Sequence, residues 1–406
     1  MIELENLVLK RIDEMRDEII KFHQQIIQIP SENPPGKYKE VAKFTEGKLN
    51  ELGLTTIIKR NNVIGEIGRD IGKTLIFNAH YDTVEAFKGW NVNPFSGEII
   101  DDKIYGRGAS DDKSCVTAEI FAVQALLEAG INLNGKLVIN AVGDEELGGI
   151  NGIEYLLNKG FVKGDVCLLG DGPAGHPFGF TGGTMYVILT IHGKQGHGLG
   201  APDLPDPYRN EHSGINTIER MVKIINFLLE LNKEFLEKET KYSMPEGSTT
   251  RISHINLGQI HGGNKITTVP DKCILQFSVN TIPEQDIESI RKRLLDYIEE
   301  LKQEDPYFDI DVKIPISMEP FIIDGKSEFA QAVQKSMKSV YKEEKEFKLF
   351  MPSTDAHWFQ ESGIETIIIG TGRNENNCHA ANEFVYIEDL INATKLYALT
   401  AINYLK

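Results

Sequence analysis

Apolar residues near the start of the chain recur every three or four positions, as they do along one face of a helix. Six residues follow this spacing: Val8, Ile12, Met15, Ile19, Phe22 and Ile26. The spacing predicts one amphipathic helix that ends near Pro30. A second helix is predicted over residues 40–52, and a third begins near Ser114 and stops at Gly130.

Short runs that are almost entirely apolar separate and follow these helices. They occur in the order TTIIKR, VIGEI, TLIFNA, KLVINAV, DVCLLG and ETIIIG. Apolar strands that alternate with helices are typical of a mostly parallel sheet covered on both faces. The predicted fold class is therefore α/β, with a mostly parallel sheet in the main domain.

The pattern changes near Gly183, where the strand MYVILTIHG alternates in polarity. The elements predicted from this point follow the order β-α-β-β-α-β, the split pattern of a small α+β sandwich. Helix–strand alternation resumes near Glu319. We therefore predict an inserted domain at residues 184–317 and a discontinuous main domain formed by residues 1–183 and 318–406.

Composition narrows the classes of function. The 406 residues are 41% hydrophobic and carry a net charge of -17. This charge argues against a nucleic-acid partner or an anionic membrane surface, because both require clustered Lys and Arg. The four cysteines form no C-x-x-C pair, and the opening segment MIELENLVLKRIDEMRDEII is interrupted by charges. We therefore expect reduced thiols and a cytoplasmic location, without a signal peptide or membrane span.

Histidines and acidic residues collect where the predicted strands end. They are His80 and Asp82 after TLIFNA, Glu145 and Glu146 after KLVINAV, Asp171 after DVCLLG, His379 after ETIIIG, and Asp111 at the start of the third helix. Ligands of open α/β sheets lie beyond the carboxyl ends of the strands, so these side chains should share one crevice. Such residues suit zinc, cobalt or manganese, and a cation would relieve the repulsion between carboxylates.

Each residue also has a purely structural interpretation. Taken alone, Asp111 suits a helix cap, Asp171 a turn and His379 the surface. Taken together, the repeated coincidence of residue type and strand end favours one shared metal site.

Six segments carry a resemblance to a known family. They are NAHYDTV, YGRGASDDK, GDEELGG, GKQGHG, STDAH and NCHAANEF, in this order between residues 78 and 384. They resemble the motifs of the co-catalytic di-zinc metallopeptidases and deacylases, the family of acetylornithine deacetylase, succinyl-diaminopimelate desuccinylase, aminoacylase and glutamate carboxypeptidase. The domain plan agrees, so the resemblance covers essentially the whole chain.

The resemblance implies two divalent metal ions, zinc or else cobalt or manganese. His80 and Asp171 would hold one ion, Glu146 and His379 would hold the other, and Asp111 would bridge them.

Further roles follow from the same resemblance. Asp82 would orient the ligand His80, and Glu145 would be the general acid/base for a hydroxide held between the ions. The peptide bond between Asp111 and Asp112 would be cis. In the inserted domain, which would serve as a lid and dimerisation domain, His197 would stabilise the oxyanion in a partner subunit of a homodimer.

The inserted domain departs from the family pattern at two points. Thr267 stands where relatives usually have Asn, with Asn264 nearby, and Asn280 stands where a substrate-binding Arg is common. We take these three residues as candidate substrate contacts. Without that arginine, a substrate carboxylate held by an arginine clamp is less expected, with Arg251 and Arg373 as alternatives.

The predicted function is hydrolysis of the amide bond of a small N-acyl amino acid or short peptide. A dipeptidase, aminopeptidase or carboxypeptidase is the alternative within the family, and Asp171 tilts the prediction toward small peptides. A non-catalytic ligand-binding protein is the alternative of another class, although Glu145 and every metal ligand are present. A nucleotide-dependent enzyme and a serine hydrolase are disfavoured, because neither G-x-x-x-x-G-K-[ST] nor G-x-S-x-G occurs.

Overall fold

The computed structural model describes residues 2–199, 214–246, 248 and 250–406. The helices are α1 (Ile2–Glu14), α2 (Arg16–Ile27), α3 (Lys39–Glu51), α4 (Lys113–Glu128), α5 (Ile153–Asn158), α6 (Thr217–Leu236), α7 (Ile287–Glu304), α8 (Glu328–Tyr341), α9 (Ala356–Glu361) and α10 (Ile387–Leu405). Short 3-10 helices lie at Glu145–Leu147 and Asn374–Asn376. Within these described ranges, no helix combines the length and apolar character needed to cross a bilayer.

The strands that precede the inserted domain are β1 (Thr55–Lys59), β2 (Asn62–Gly68), β3 (Thr74–His80), β4 (Glu98–Ile100), β5 (Lys103–Tyr105), β6 (Lys136–Val142), β7 (Val166–Leu169) and β8 (Phe178–Thr181). The remaining strands are β9 (Gly183–His192), β10 (Gly196–His197), β11 (His254–Gly262), β12 (Thr268–Val269), β13 (Lys272–Thr281), β14 (Asp309–Met318), β15 (Lys348–Phe350), β16 (Glu365–Ile368) and β17 (Phe384–Tyr386).

The main sheet has eight strands in the order β1-β2-β6-β3-β7-β16-β8-β15. Its centre, from β6 through β3 and β7 to β16, is parallel, whereas β1 and β2 form an antiparallel edge. The prediction of an α/β fold with a mostly parallel sheet is therefore confirmed. Two strands near the other edge, β8 and β15, were not predicted, because such short segments have no clear periodicity.

Burial explains why the central elements form. Every residue of β3 from Leu75 to His80 is buried, as a strand covered by helices on both faces requires. Helix α4 is buried continuously from Lys113 to Leu126, so its sequence lacks a polar face. Helix α10 packs beside α4 and also against β3, where the ring of Tyr397 meets that of Phe77 with centroids 4.8 Å apart.

The prediction of one helix up to Pro30 is wrong in one respect. The segment forms two helices, α1 and α2, that are separated at Met15. Met15 is itself buried, so the apolar spacing runs unbroken through the interruption. Hydrophobic periodicity reports which face is buried and does not register a break in the backbone.

The second sheet contains four antiparallel strands in the order β11-β13-β9-β14. With α6 and α7 the chain order is β-α-β-β-α-β, as predicted. Its hydrophobic core extends from Met185 to Ile310 and shares no residue with the main core. The domain bounds of 184–317 stay a prediction.

The ends of β7 and β16 approach each other so closely that no side chain fits between them. A Cβ atom on Gly370 would lie 1.9 Å from the carbonyl oxygen of Gly172 and 2.1 Å from that of Asp171. The segment after β16 therefore leaves the sheet in contact with the segment after β7. This contact brings two chemically important loops to one edge of the sheet.

Replacing Gly370 with alanine should lower the melting temperature, because the added methyl group overlaps backbone that has no room to move. Overpacking of this kind costs about 1–3 kcal/mol. Gly47→Ala in α3 is the matched control, since a Cβ there meets nothing within 4 Å and helix propensity adds about 1 kcal/mol. Thermal unfolding followed by circular dichroism measures both. A Gly370→Ala variant as stable as the wild type would contradict the close approach.

Candidate active site

The candidate residues predicted at strand ends lie along one edge of the main sheet. His80 is the last residue of β3, Glu145 and Glu146 form the 3-10 helix after β6, and Asp171 follows β7. Parallel strands end at the same edge, which is why residues so distant in sequence converge. The loop before α4 supplies Asp111 from the side.

Asp111 lies between two imidazoles. Its Oδ1 is 3.2 Å from Nε2 of His80, and its Oδ2 is 3.1 Å from Nε2 of His379. One carboxylate therefore directs each oxygen at a different histidine. This is the arrangement that a bridging ligand between two cations requires.

Glu146 completes one side of this group. Its Oε2 lies 3.1 Å from the same Nε2 of His379, and its Oε1 accepts a hydrogen bond of 3.1 Å from the backbone N–H of Val84. One ligand atom each from Asp111, Glu146 and His379 lie within 4.8 Å of one another. These three residues can hold a metal ion jointly.

Glu145 lies beside His80, with its Oε2 3.8 Å from Nε2 of that histidine. Its side chain is only 13% exposed. Burial raises the pKa of Glu145 well above its usual value, and the charges of Asp171 and Asp355 raise it further. We refer to His80, Asp111, Glu145, Glu146 and His379 together as the His–carboxylate cluster.

Asp171 is adjacent to the cluster without contacting its histidines. Among the described residues no ion pair within 4.0 Å joins Asp171 to His80, its predicted partner on one metal ion. Burial, followed by the charges of Asp111 and Asp112, raises the pKa of Asp171 well above its usual value. The structure thus places Asp171 within electrostatic range of the cluster.

Asp82 is completely buried and joins three segments. Its carboxylate accepts hydrogen bonds of 3.2 Å from each of the backbone N–H groups of Glu145 and Glu146, and one of 3.1 Å from the side chain of Asn33. Its Oδ1 lies 3.4 Å from Nδ1 of His80, whose Nε2 points at Asp111. Asp82 therefore orients both the imidazole and the backbone that carries the two glutamates.

The many acidic side chains in and beside the cluster suit the binding of divalent cations. Burial raises the pKa of Glu146 as well as those of Glu145 and Asp171. Hydrogen bonds with Asp111 and Glu146 raise the pKa of His379 to about 10. Buried carboxylates at such density repel one another, and bound cations remove that penalty. Imidazole and carboxylate donors are those of zinc, cobalt and manganese sites.

The peptide bond between Asp111 and Asp112 is cis, as the family resemblance implies. The Asp112 carboxylate accepts a hydrogen bond of 3.3 Å from the backbone N–H of His80. The loop before α4 is thus tied to the end of β3 beside the cluster.

The candidates in the inserted domain lie apart from the cluster. His197, in β10, is exposed, and its Nδ1 accepts a hydrogen bond of 3.1 Å from the backbone N–H of Leu199. Asn264 and Thr267 are exposed on the segment between β11 and β12. Within the described part of the chain, no hydrogen bond or ion pair joins these three residues to the cluster.

Asn280 lies within the sheet of the inserted domain. It accepts a hydrogen bond of 3.3 Å from the hydroxyl of Thr184, and its amide lies 3.3 Å from Nε2 of His254. The same Thr184 hydroxyl accepts a hydrogen bond of 2.7 Å from Ser353. Through Ser353, Asn280 is connected to the segment that ends at the buried Asp355.

The two arginines considered as substitutes for a substrate clamp are engaged elsewhere. Arg373 makes a bidentate ion pair with Asp389, at 2.6 and 2.8 Å. Arg251 lies 3.5 Å from Glu239 and donates to the Thr240 carbonyl. Neither guanidinium is directed at the cluster.

Sequence reasoning assigned no role to Asp355 or Glu383. Asp355 accepts a hydrogen bond of 3.4 Å from Asn78, and burial raises its pKa to about 7. Glu383 accepts hydrogen bonds from the loop that carries Asp111. The segments STDAH and NCHAANEF contain both acids, so the motifs marked them without indicating their contacts.

Residues 76–403 match the profile of peptidase family M20/M25/M40, and this span contains the complete His–carboxylate cluster. The chain belongs to peptidase family M20/M25/M40. It is therefore a metal-dependent hydrolase that acts on amide or peptide bonds.

Known relatives and solved structures cover nearly the whole chain. The chain is 27% identical to N-formyl-4-amino-5-aminomethyl-2-methylpyrimidine deformylase of Bacillus subtilis (strain 168) over 95% of this chain and 94% of the relative. It is 28% identical to a succinyl-diaminopimelate desuccinylase of Buchnera aphidicola over 93% and 96%. The metallo-carboxypeptidase Sso-CP2 of Sulfolobus solfataricus shares the fold, with a TM-score of 0.75, 22% identity and coverage of 95% and 99%.

Replacing His379 with alanine should reduce the bound metal from about two ions per chain to about one, because His379 is the imidazole shared by Asp111 and Glu146. Elemental analysis of protein dialysed against a defined zinc concentration gives the stoichiometry. His192→Ala is the control, since His192 pairs with Asp311 in the inserted domain. An unchanged metal content in His379→Ala would rule out this ligand assignment.

Proposed function

We propose that the enzyme uses two divalent metal ions to hydrolyse the amide bond of a small N-acyl amino acid or a short peptide. The observation that carries this proposal is the position of Asp111 between His80 and His379, with Glu145 beside it. The Asp111 carboxylate offers one oxygen to each histidine. Glu145, an acid that is not needed as a metal ligand, lies beside them.

The metal ions would be held by the residues of the cluster together with Asp171. His80 and Asp171 would bind one ion, Glu146 and His379 the other, and Asp111 both. When bound, such a pair supplies Lewis-acid polarisation of a carbonyl group and a water molecule acidified to a pKa of about 7.

Glu145 would transfer the proton. The hydrogen bonds that Asp82 accepts from the backbone of residues 145 and 146 hold Glu145 beside the other residues of the cluster. Its Oε2 lies 3.8 Å from Nε2 of His80. A carboxylate in this position can accept the proton of the attacking water and return it to the leaving nitrogen.

His197 would act from a partner subunit. In its own chain it is exposed and hydrogen-bonded to the backbone N–H of Leu199. An imidazole that neither packs in its own domain nor reaches its own cluster is available to another chain. Its N–H group would stabilise the oxyanion that forms from the substrate carbonyl.

The substrate would be held by neutral hydrogen-bonding groups rather than by an arginine clamp on a carboxylate. Asn280, with Asn264 and Thr267, would supply neutral contacts, whereas Arg251 and Arg373 are engaged in ion pairs. This favours a second candidate function, removal of a small acyl group from an amine without a carboxylate. The relative named as an aminomethylpyrimidine deformylase agrees with this candidate. Dipeptidase activity is the further alternative.

Chelation followed by addition of zinc, cobalt or manganese should abolish and then restore activity on the best member of a substrate panel. The panel contains N-formyl, N-acetyl and N-succinyl amino acids, the same acyl groups on amines that lack a carboxylate, and dipeptides. Glu145→Gln should lower kcat by about 10²–10⁴-fold and leave the metal content unchanged, because the variant loses only the proton acceptor.

Glu154→Gln on α5 is the matched control and should keep full activity. Activity that is indifferent to chelation, or that survives in Glu145→Gln, would contradict the proposed reaction. Tight binding of a panel member without turnover would instead favour the ligand-binding alternative.

We also propose a homodimer formed through the inserted domain. The outer face of α6 exposes Ile218, Val222, Leu229 and Leu236, at 38%, 46%, 45% and 50%. Strand β11 forms one edge of the neighbouring sheet. An apolar stripe beside an open strand edge is the kind of surface that a symmetric partner covers.

The double variant Val222→Glu/Leu229→Glu should be monomeric, because it places charges in the middle of the apolar stripe. It should also lose activity, since His197 of one subunit would no longer reach the other. Sedimentation velocity and an activity assay on the same sample measure both. Leu7→Glu, at a 46% exposed position of α1, is the control. A fully active monomer would contradict the action of His197 in trans.

A further inference from the structure

Glu383 is a buried carboxylate with every acceptor position occupied. Its Oε1 accepts hydrogen bonds from the backbone N–H groups of Ser110 (2.9 Å) and Asp111 (3.1 Å). Its Oε2 accepts one from the N–H of Gly108 (3.1 Å) and one from the guanidinium of Arg107. A carboxylate has about four acceptor sites, so none remains for a ligand or for water.

All of these donors belong to the loop that delivers Asp111 to the His–carboxylate cluster. The contact extends to the backbone, because the N–H of Gly106 donates a hydrogen bond of 2.9 Å to the carbonyl of Glu383. Residues 106–111 are therefore held against the chain around Glu383 by four main-chain donors together with the buried guanidinium of Arg107.

Arg107 ties the same loop to the segment that carries His379. It is almost completely buried, pairs with Glu383 and donates a hydrogen bond of 3.0 Å to the carbonyl of Ala380, the residue after His379. It also donates one of 3.3 Å to the carbonyl of Glu85 in the segment after β3. One guanidinium thus contacts the loops that follow two different strand ends.

We propose that the Glu383–Arg107 ion pair positions the bridging carboxylate and its neighbouring imidazole, and so sets the affinity of the site for its second metal ion. His379 lies in a mostly exposed loop, and its own side chain is 56% exposed. Packing alone therefore does not fix its position relative to Asp111. The ion pair joins the backbones on both sides of the 3.1 Å contact between these ligands. Glu383 touches no reacting atom and is a positioning residue. This inference rests on the proposed two-metal function.

Glu383→Gln tests the proposal with little change in shape. A glutamine keeps one acceptor oxygen but places an NH₂ group against backbone N–H donors or against Arg107, so the loop must shift. Arg107→Lys is the second variant. It retains the positive charge while losing the planar fork that reaches Glu383, Ala380 and Glu85 together.

The readout is binding of Co²⁺ alone to the metal-free full-length protein, followed by visible absorption. We expect the wild type to bind two ions. Both variants should bind the second ion about 10–100-fold more weakly and show an altered cobalt spectrum, because outer-shell partners of metal ligands have effects of this size. Restoration of the wild-type spectrum at saturating Co²⁺ in Arg107→Lys but not in Glu383→Gln would also support positioning by the carboxylate.

Asp305→Asn is the matched control, because Asp305 forms a partly buried ion pair of 2.7 Å with Arg220 in the inserted domain. It should lower the melting temperature and leave cobalt affinity and spectrum unchanged. Wild-type affinity and spectrum in both Glu383→Gln and Arg107→Lys would overturn the inference and leave the two-metal proposal intact. Absence of cobalt binding by the wild type would overturn both.

Discussion

The site depends on a partly buried carboxylate, Asp111, held between two imidazoles where a parallel sheet ends. Its two oxygens lie 3.2 and 3.1 Å from nitrogens that belong to β3 and to the segment after β16. Acidic side chains crowd around it, and burial raises the pKa of several of them. Such an arrangement is stable only with positive charge at its centre, which imidazolium groups or metal ions can provide.

The rest of the main domain serves to assemble this charge distribution. Parallel strands deliver ligands to one edge, and the absence of a side chain at Gly370 lets the segments after β7 and β16 touch. Asp82 ties the histidine of β3 to the backbone that carries both glutamates. Helix α4 is buried along most of its length and follows directly after the loop of Asp111, which it anchors. The rigid backbone therefore limits how far the ligands can separate.

The inserted domain contributes exposed surface rather than residues of the His–carboxylate cluster. It has its own core and its own antiparallel sheet. Its Thr184 hydroxyl accepts a hydrogen bond from Ser353 of the main domain and donates one to Asn280. Membership in the M20/M25/M40 family determines the reaction class.

The sequence by itself determined the α/β class, the β-α-β-β-α-β insertion and the residues at strand ends. Each of these follows from local periodicity and from the rule that parallel strands end together. Only the tertiary structure decided which of those residues meet. It brought His80, Asp111, Glu146 and His379 into contact, left Asp171 slightly apart, and paired Arg107 with Glu383 across a separation of 276 residues. It also separated α1 from α2 at a buried Met15. Such contacts depend on how distant segments pack, and no local pattern encodes that packing.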